Sequence, residues 1–280
     1  KDIRFKKSRI FYLDQKEDII FLSELKKINY LYQEDSVNKL LANIELFNLP
    51  IDIKIDHDIS KRNIFSEINI KSLNLKIKND TTYKSNNFEG DIDFKYITKD
   101  LKVSYRLKDN NLILHTADKK FTSEINIKPF FLLSNLNLEN VKVKNIFGNN
   151  SLFENLLKSE IFYNKNINAR VSVSINGLND LNHIDNMNFE IKFEEGEIFI
   201  SNLNFQFKDF TTFKFNNINL IVEENNLKLL GDITLEFDDI QGVYNYFQIS
   251  RKYRKNLSKI SSNFIFDFDN ELFEFSDLKI

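Results

Sequence analysis

The sequence predicts a mostly β fold: a long, curled antiparallel β-sheet forming a hydrophobic groove, with two or three short helices. Three observations carry this expectation. Apolar residues recur at every second position along most of the 280-residue chain, the spacing that gathers side chains on one side of a strand. Stretches patterned this way number roughly fifteen, against two or three with helical spacing. The aromatic residues are dominated by 28 Phe, with 10 Tyr and no Trp, so the apolar side of such a sheet is unusually bulky.

The strands follow in order. Ile51, Ile53 and Ile55 alternate with charged residues after Pro50. Ile68 and Ile70 lead to Leu73, Leu75 and Ile77, with a change of parity at Lys71–Ser72 that predicts a bulge. Ile92, Phe94 and Tyr96 follow, then Leu101, Val103, Tyr105 and Leu107. Asn110–Asn111 predicts a hairpin turn into Leu112 and Leu114, because Asn tolerates the left-handed conformation. Ile125 and Ile127 run to Pro129, and Leu136, Leu138, Val141 and Val143 continue the pattern.

The second half repeats the theme. Val171, Val173 and Ile175 run into a predicted turn at Asn176–Gly177. In "FEIKFEEGEIFISNLNFQF" (189–207), Phe189, Ile191 and Phe193 alternate with charges, then Ile198 and Ile200, then Leu203, Phe205 and Phe207. Phe213, Phe215, Ile218, Leu220 and Val222 lead to a turn at Glu224–Asn226, then to Leu227 and Leu229. Gly231 precedes Ile233, Leu235 and Phe237, and a last hairpin is predicted across "DFDNEL", between Phe264–Phe268 and Leu272–Phe275.

Three stretches carry helical spacing. "SLFENLLKSEIF" (151–162) opens with Ser151 and Glu154 at capping-box distance and continues in an apolar stripe. Residues 238–260 predict a short helix plus a turn, with Gly242 limiting its length. Residues 34–47, "EDSVNKLLANIELF", predict a third. With two Pro and no Ser/Gly-rich or charge-block segment, no linker is visible, and residues 1–280 read as one continuous β-rich segment. The chain starts at Lys1 with no signal-peptide pattern. It is therefore read as a piece of a longer protein, with any membrane anchor upstream.

Composition narrows the function. The 39 basic and 41 acidic residues leave a net charge of −2, which argues against nucleic acid, a partner that demands a concentrated basic surface. No Cys is present, so no disulfide framework or thiolate metal site can form. No apolar run approaches the ~18 residues of a membrane-spanning helix.

Residues with chemical potential have plainer readings beside them. His57, His115 and His183 are far apart in sequence, and Asp56 and Asp58 point to the opposite face from His57 on an alternating strand. That places His57 at a strand end in solvent. Glu194–Glu195 and Asp238–Asp239 sit where turns are predicted, and turn chemistry accounts for them. No nucleophile elbow and no phosphate-binding Gly loop occurs. No catalytic residue, cofactor site or metal site is therefore expected. "RKYRKNLSK" (251–259) is the one basic cluster. Its Arg251, Lys252, Arg254 and Lys255 could meet a lipid headgroup at a groove rim, or could be a solvated face whose long stems cover apolar neighbours.

Three stretches resemble AsmA-like proteins of Gram-negative bacteria: "GNNSLFENLLKSEIFYNKNIN" (148–168), "FEIKFEEGEIFISNLNFQFKDFTTFKFNNINLIVEENNLKLLGDITLEF" (189–237) and "YNYFQISRKYRKNLSKISSNFIFDFDNELFEFSDLKI" (244–280). The "EEGEIFISN" turn, "LKLLGDITLEF" and "YFQISRKYRK" carry most of it, so the AsmA-like region is about 148–280. The resemblance implies a periplasmic protein tethered to the inner membrane by an anchor outside this chain. It further implies a bridge-like β-groove that carries phospholipid acyl chains toward the outer membrane without catalysis. On that reading the groove is lined by Phe189, Ile191, Phe193, Leu203, Phe205, Phe207, Phe215, Leu220 and Leu235. The alternative is a structural or interaction module of the envelope, a β-sandwich or solenoid with a dry core.

Overall fold

The computed structural model describes the chain except for residues 14–18, 35, 98, 143–155, 157–162, 180–182, 185 and 224–225, and the side chains of 20 and 21. The described residues are mostly β, with 18 strands among them. The chain divides into two compact units: Lys1–Ser134 with Ser159–Asn168, and Asn135–Lys158 with Ala169–Ile280.

The first unit contains β1 (Asp2–Leu13), β2 (Ile19–Leu31), β3 (Val37–Leu46), β4 (Leu49–Asp58), β5 (Asn63–Ile70), β6 (Leu75–Lys84), β7 (Asn87–Tyr96), β8 (Lys99–Lys108), β9 (Asn111–His115) and β10 (Phe121–Ile127). Each strand pairs antiparallel with the next, from β1 through β10. Strand β11 (Phe130–Val141) runs across the division. The second unit continues with β12 (Asn168–Leu178), β13 (Asn186–Glu194), β14 (Glu197–Phe207), β15 (Thr211–Glu223), β16 (Asn226–Phe237), β17 (Lys259–Asp267) and β18 (Leu272–Lys279). These strands too form consecutive antiparallel ladders. Within each unit these ladders build a single meander.

Short turns are the reason. Phe47 and Asn48, Asp109 and Asn110, and Glu195 and Gly196 all hold positive φ between paired strands, as two-residue turns need if they are to follow the strand twist. Of the pair read as a turn, Glu195 lies in the turn, while Glu194 is still the last residue of β13. The hairpin turn predicted at Asn110–Asn111 lies one residue earlier, and Asn111 opens β9. The final hairpin spans β17 and β18 as predicted.

Three sequence expectations are corrected. Residues 34–47 form no helix: β3 occupies Val37–Leu46, paired on both sides. In this stretch Leu40, Ala42, Ile44 and Leu46 also fit a period of two, and the free ladders of β2 and β4 decide between the two periods. The parity change at Lys71–Ser72 is a one-turn 3₁₀ helix, Lys71–Leu73, which ends in left-handed Asn74 and separates β5 from β6. Asn176–Gly177 is no turn: β12 continues to Leu178, and Gly177 adopts φ +82° within it. The helix expected at 151–162 and the turn at Glu224–Asn226 fall largely outside the described residues.

Residues 238–260 form the short helix α1 (Ile240–Tyr246), then a 3₁₀ turn at Arg251–Tyr253, before β17 starts. Asp239 caps α1, its carboxylate accepting from the Gly242 amide at 2.9 Å. A Cβ on Gly242 would lie 2.7 Å from the Phe210 ring, so the glycine is what lets α1 sit against that side chain.

Each unit has one apolar and one charged face. Ion pairs Lys76–Glu67, Lys102–Asp91 and Arg106–Glu89 lie on the charged face of the first unit. Arg170–Glu190, Lys192–Glu190 and Lys214–Glu236 lie on that of the second. Exposed pairs of this kind contribute little stability, about 0–1 kcal/mol each. Their consequence is to keep that face in water.

Candidate functional site

The apolar face of the second unit is assembled by register. Ala169, Phe193, Ile198, Leu220, Leu229, Phe266 and Phe273 stand opposite one another from β12 to β18. A parallel row starts with Met187, opposite Ile175, and passes through Phe205, Phe213 and Leu235 to Ile260. All nine residues predicted to line a groove share this one face.

Two inserted residues keep the face in phase. Between Asn188/Asn204 and Glu190/Ser201, β14 has one residue more than β13, and Asn202 holds φ +60° there. Between Asn216/Asp232 and Asn219/Leu230, β15 has one residue more than β16, and Asn217 holds φ +51°. Without these bulges, Leu203, Phe205 and Phe207 would point opposite to Ile198 and Ile200. Asn suits both sites because it reaches the left-handed region at low cost.

The face is not uniform. At one end Phe193, Ile198, Leu220 and Leu227 are all but removed from solvent, Ile198 at 1% exposure. At the other end Leu203, Phe205, Phe207, Phe213, Phe215 and Leu235 are half-buried. On β18, the terminal strand of the unit, Phe273 and Phe275 are 51% and 61% exposed. The predicted lining thus falls into a closed set (Phe189, Ile191, Phe193, Leu220) and an open set (Leu203, Phe205, Phe207, Phe215, Leu235).

A run of phenylalanine rings crosses the strands on this face. Phe205 stacks on Phe213 at 4.9 Å and meets Phe215 at 5.7 Å. Phe215 meets Phe264 edge-on at 5.6 Å. Phe264 lies 6.3 Å from Phe273, which stacks on both Phe266 and Phe275. The step from Phe215 on β15 to Phe264 on β17 passes over β16 at Gly231. A Cβ there would lie 3.3 Å from the Phe264 ring and 3.2 Å from Ile218 Cα. Among the described residues of these rows, polar side chains are confined to Thr211 and Ser262, both buried. Ser262 Oγ donates to Ser276 O at 2.6 Å. Sequence reading named Phe213, Phe264, Phe266, Phe273 and Phe275 as strand residues but not as part of this surface. The signal was present in the equal parity of neighbouring strands, but only the register aligns them.

Helix α1 meets the end of the face. Phe207 contacts Tyr246 and Phe247, at 5.4 and 6.0 Å between rings, and His183 at 5.6 Å. Lys208 Nζ lies 4.1 Å from the Tyr246 ring centre. The basic cluster follows. Arg254 is half-buried and structural in its contacts: Nε donates to Ile249 O at 2.9 Å and Nη1 to Asn245 Oδ1 at 2.8 Å. Arg251, Lys252 and Lys255 are exposed. His57 does stand at a strand end, one residue before the last of β4, but it is half-buried rather than solvated: it lies on the apolar face of the first unit with Nε2 2.9 Å from Tyr83 Oη.

Comparison with protein-family models, with curated proteins and with solved structures finds no match.

Proposed function

We propose that this chain is a non-enzymatic lipid-binding segment of the AsmA-like, bridge-like transfer type, which accommodates phospholipid acyl chains on the apolar face of its sheets. The observation that carries the reading is the run of Phe rings from Phe205 to Phe275, half-buried on β14 and β15 and exposed on β18, joined through the buried Phe264, on a face with almost no polar side chain. A contiguous apolar surface of this kind calls for an apolar partner. Each methylene moved from water onto it gains about 0.8 kcal/mol, and many similar rings in succession offer a sliding chain no single deep well. The groove shape, the periplasmic location and the inner-membrane anchor belong to this proposal. So does the assignment of Arg251, Lys252 and Lys255 as headgroup contacts at the rim, where their exposed charges are free to meet phosphate.

Photocrosslinking tests it. The purified chain is loaded with a phospholipid bearing a diazirine in its acyl chain, and adducts are mapped by mass spectrometry. Adducts are expected at Phe205, Phe213 and Phe215, and not at Gln206 or Lys214 on the opposite face. Adducts spread equally over both faces, or none above a bare-vesicle control, would refute it.

A further inference from the structure

Between β16 and β17 the chain leaves the sheet and returns to it as a closed loop built around Tyr244, a buried ring. The Tyr244 hydroxyl donates to Lys255 O at 2.7 Å and accepts from the Lys255 amide at 3.1 Å, which ties the two arms together. Ile249 N donates to Tyr244 O at 2.8 Å, and Arg254 bridges Ile249 O and Asn245 Oδ1. Compact surface loops with joined ends are often functional. A loop already fixed in this way loses little further freedom when it binds.

The side chains it leaves exposed are of two kinds. Phe247 is 56% exposed, Tyr253 66% and Tyr246 39%. Beside them stand Arg251, Lys252 and Lys255, exposed as well. Lys252 Nζ lies 4.8 Å from the Tyr253 ring centre. From Ile240 to Phe266 the sequence carries five basic residues and no Asp or Glu, in a chain whose net charge is −2. The two carboxylates just before it are engaged: Asp239 caps α1, and Asp238 Oδ2 accepts from Thr212 Oγ1 at 3.2 Å. An anionic bilayer supplies partners for both kinds of side chain within one layer. Tyr and other large aromatic rings settle at headgroup level, and Lys and Arg are drawn to anionic lipid.

We propose that the loop closed by Tyr244 and Lys255 docks on an anionic bilayer, seating Phe247 and Tyr253 among the headgroups with Arg251, Lys252 and Lys255 against the phosphates. The partner is a membrane surface, not a lipid taken up on the sheet. The loop shares its three cations with the headgroup contacts proposed above but needs no acyl chain on the Phe run. Docking there would bring the end of the apolar face to the membrane, because Phe247 stacks on Phe207.

The chain has no Trp, so Phe247→Trp places a single indole in the loop of the full chain. The protein is mixed with vesicles of phosphatidylcholine, with or without phosphatidylglycerol, whose acyl chains carry bromine near the headgroup. The indole is expected to shift to the blue and be quenched on the anionic vesicles, and far less on the neutral ones. Tyr253→Trp, at the most exposed ring of the loop, serves the same purpose should Phe247→Trp not fold. Phe199→Trp, on the charged face, should show neither change. Replacing Arg251, Lys252 or Lys255 singly by Ala should weaken partition about fivefold, the worth of one basic side chain near an anionic surface. Indoles at 247 and 253 that stay unquenched on vesicles the protein nevertheless binds overturn the docking loop and leave the lipid reading of the sheet standing. Equal quenching on both kinds of vesicle overturns it too, since the cations then contribute nothing. Polyglutamate binding at these residues, with no quenching by either vesicle, assigns the loop to an acidic protein instead. Quenching without acyl-chain crosslinking on the sheet supports the docking loop and removes the sheet reading.

Discussion

Substituting one carboxylate at two points of the same apolar face separates a closed core from an open surface. Ile198 and Phe205 both stand on β14 with side chains on that face, but Ile198 is 1% exposed and Phe205 is half-buried. Ile198→Asp removes a fully buried side chain, a loss of about 2–5 kcal/mol for truncation alone. It also leaves a carboxylate without water or a partner, which costs several kcal/mol more. The total approaches the whole stability of an ordinary domain, about 5–15 kcal/mol. Phe205→Asp forfeits about half the burial of a Phe, near 1 kcal/mol, and the stack on Phe213, about 0.5–1.5 kcal/mol. Its carboxylate stays hydrated, so the sum is about 1.5–2.5 kcal/mol. Urea unfolding followed by far-UV circular dichroism should therefore show Phe205→Asp folded with a lowered midpoint, and Ile198→Asp unfolded or nearly so without denaturant. Crosslinking of the diazirine phospholipid to folded Phe205→Asp should fall well below the native level. If the two variants lose stability equally, polypeptide seals the face at Phe205 and the open surface on which the lipid proposal rests does not exist.

Three further outcomes follow from named contacts. Gly90→Ala should cost about 2–4 kcal/mol, because its Cβ meets backbone at Asp80 O and must part the β6–β7 ladder; Gly231→Ala, whose Cβ is crowded at 3.0 Å from Asn216 O and 3.2 Å from Ile218 Cα and needs shifts of only a few tenths of an ångström, should cost less in the same urea assay. Burial pushes the Tyr163 hydroxyl up to about 12, so the unfolded chain ionises first as pH rises past about 10. Stability should then fall between these two values, and Tyr163→Phe should remove that part of the fall in a pH series of melting curves. Arg254→Ala removes the bonds to Ile249 O and Asn245 and should lower the melting temperature. Arg251→Ala, on an exposed residue, should leave it unchanged and instead weaken binding to vesicles containing anionic lipid.

Much of the fold was legible because a strand announces itself locally. Phe189, Ile191 and Phe193 alternate with charges whatever lies beside them, and the same holds for Ile51–Ile55 and Leu101–Leu107. The turn at Glu195–Gly196 was readable for the same reason, since it involves only neighbouring residues, whereas Asp239 was read as a turn residue and proved to be the cap of α1. Val37–Leu46 was misread because its apolar positions satisfy both a helical and a strand period. Only the neighbouring ladders, offering hydrogen bonds along both edges, select the strand. The hydrogen bond between Thr81 and Tyr105 was invisible in the sequence: the two stand on either side of Gly90 and meet across the intervening strand β7.

The amino-acid order by itself therefore determined that this is a β protein with one apolar and one charged side, because period-two alternation needs no partner to define a face. The tertiary structure decided which parts of that face are sealed and which remain open. It also decided where a polar group interrupts it and which phenylalanines line up into one run. Those properties depend on cross-strand register, which is set by turns and by inserted residues such as Asn202 and Asn217, and register relates residues that no local pattern connects.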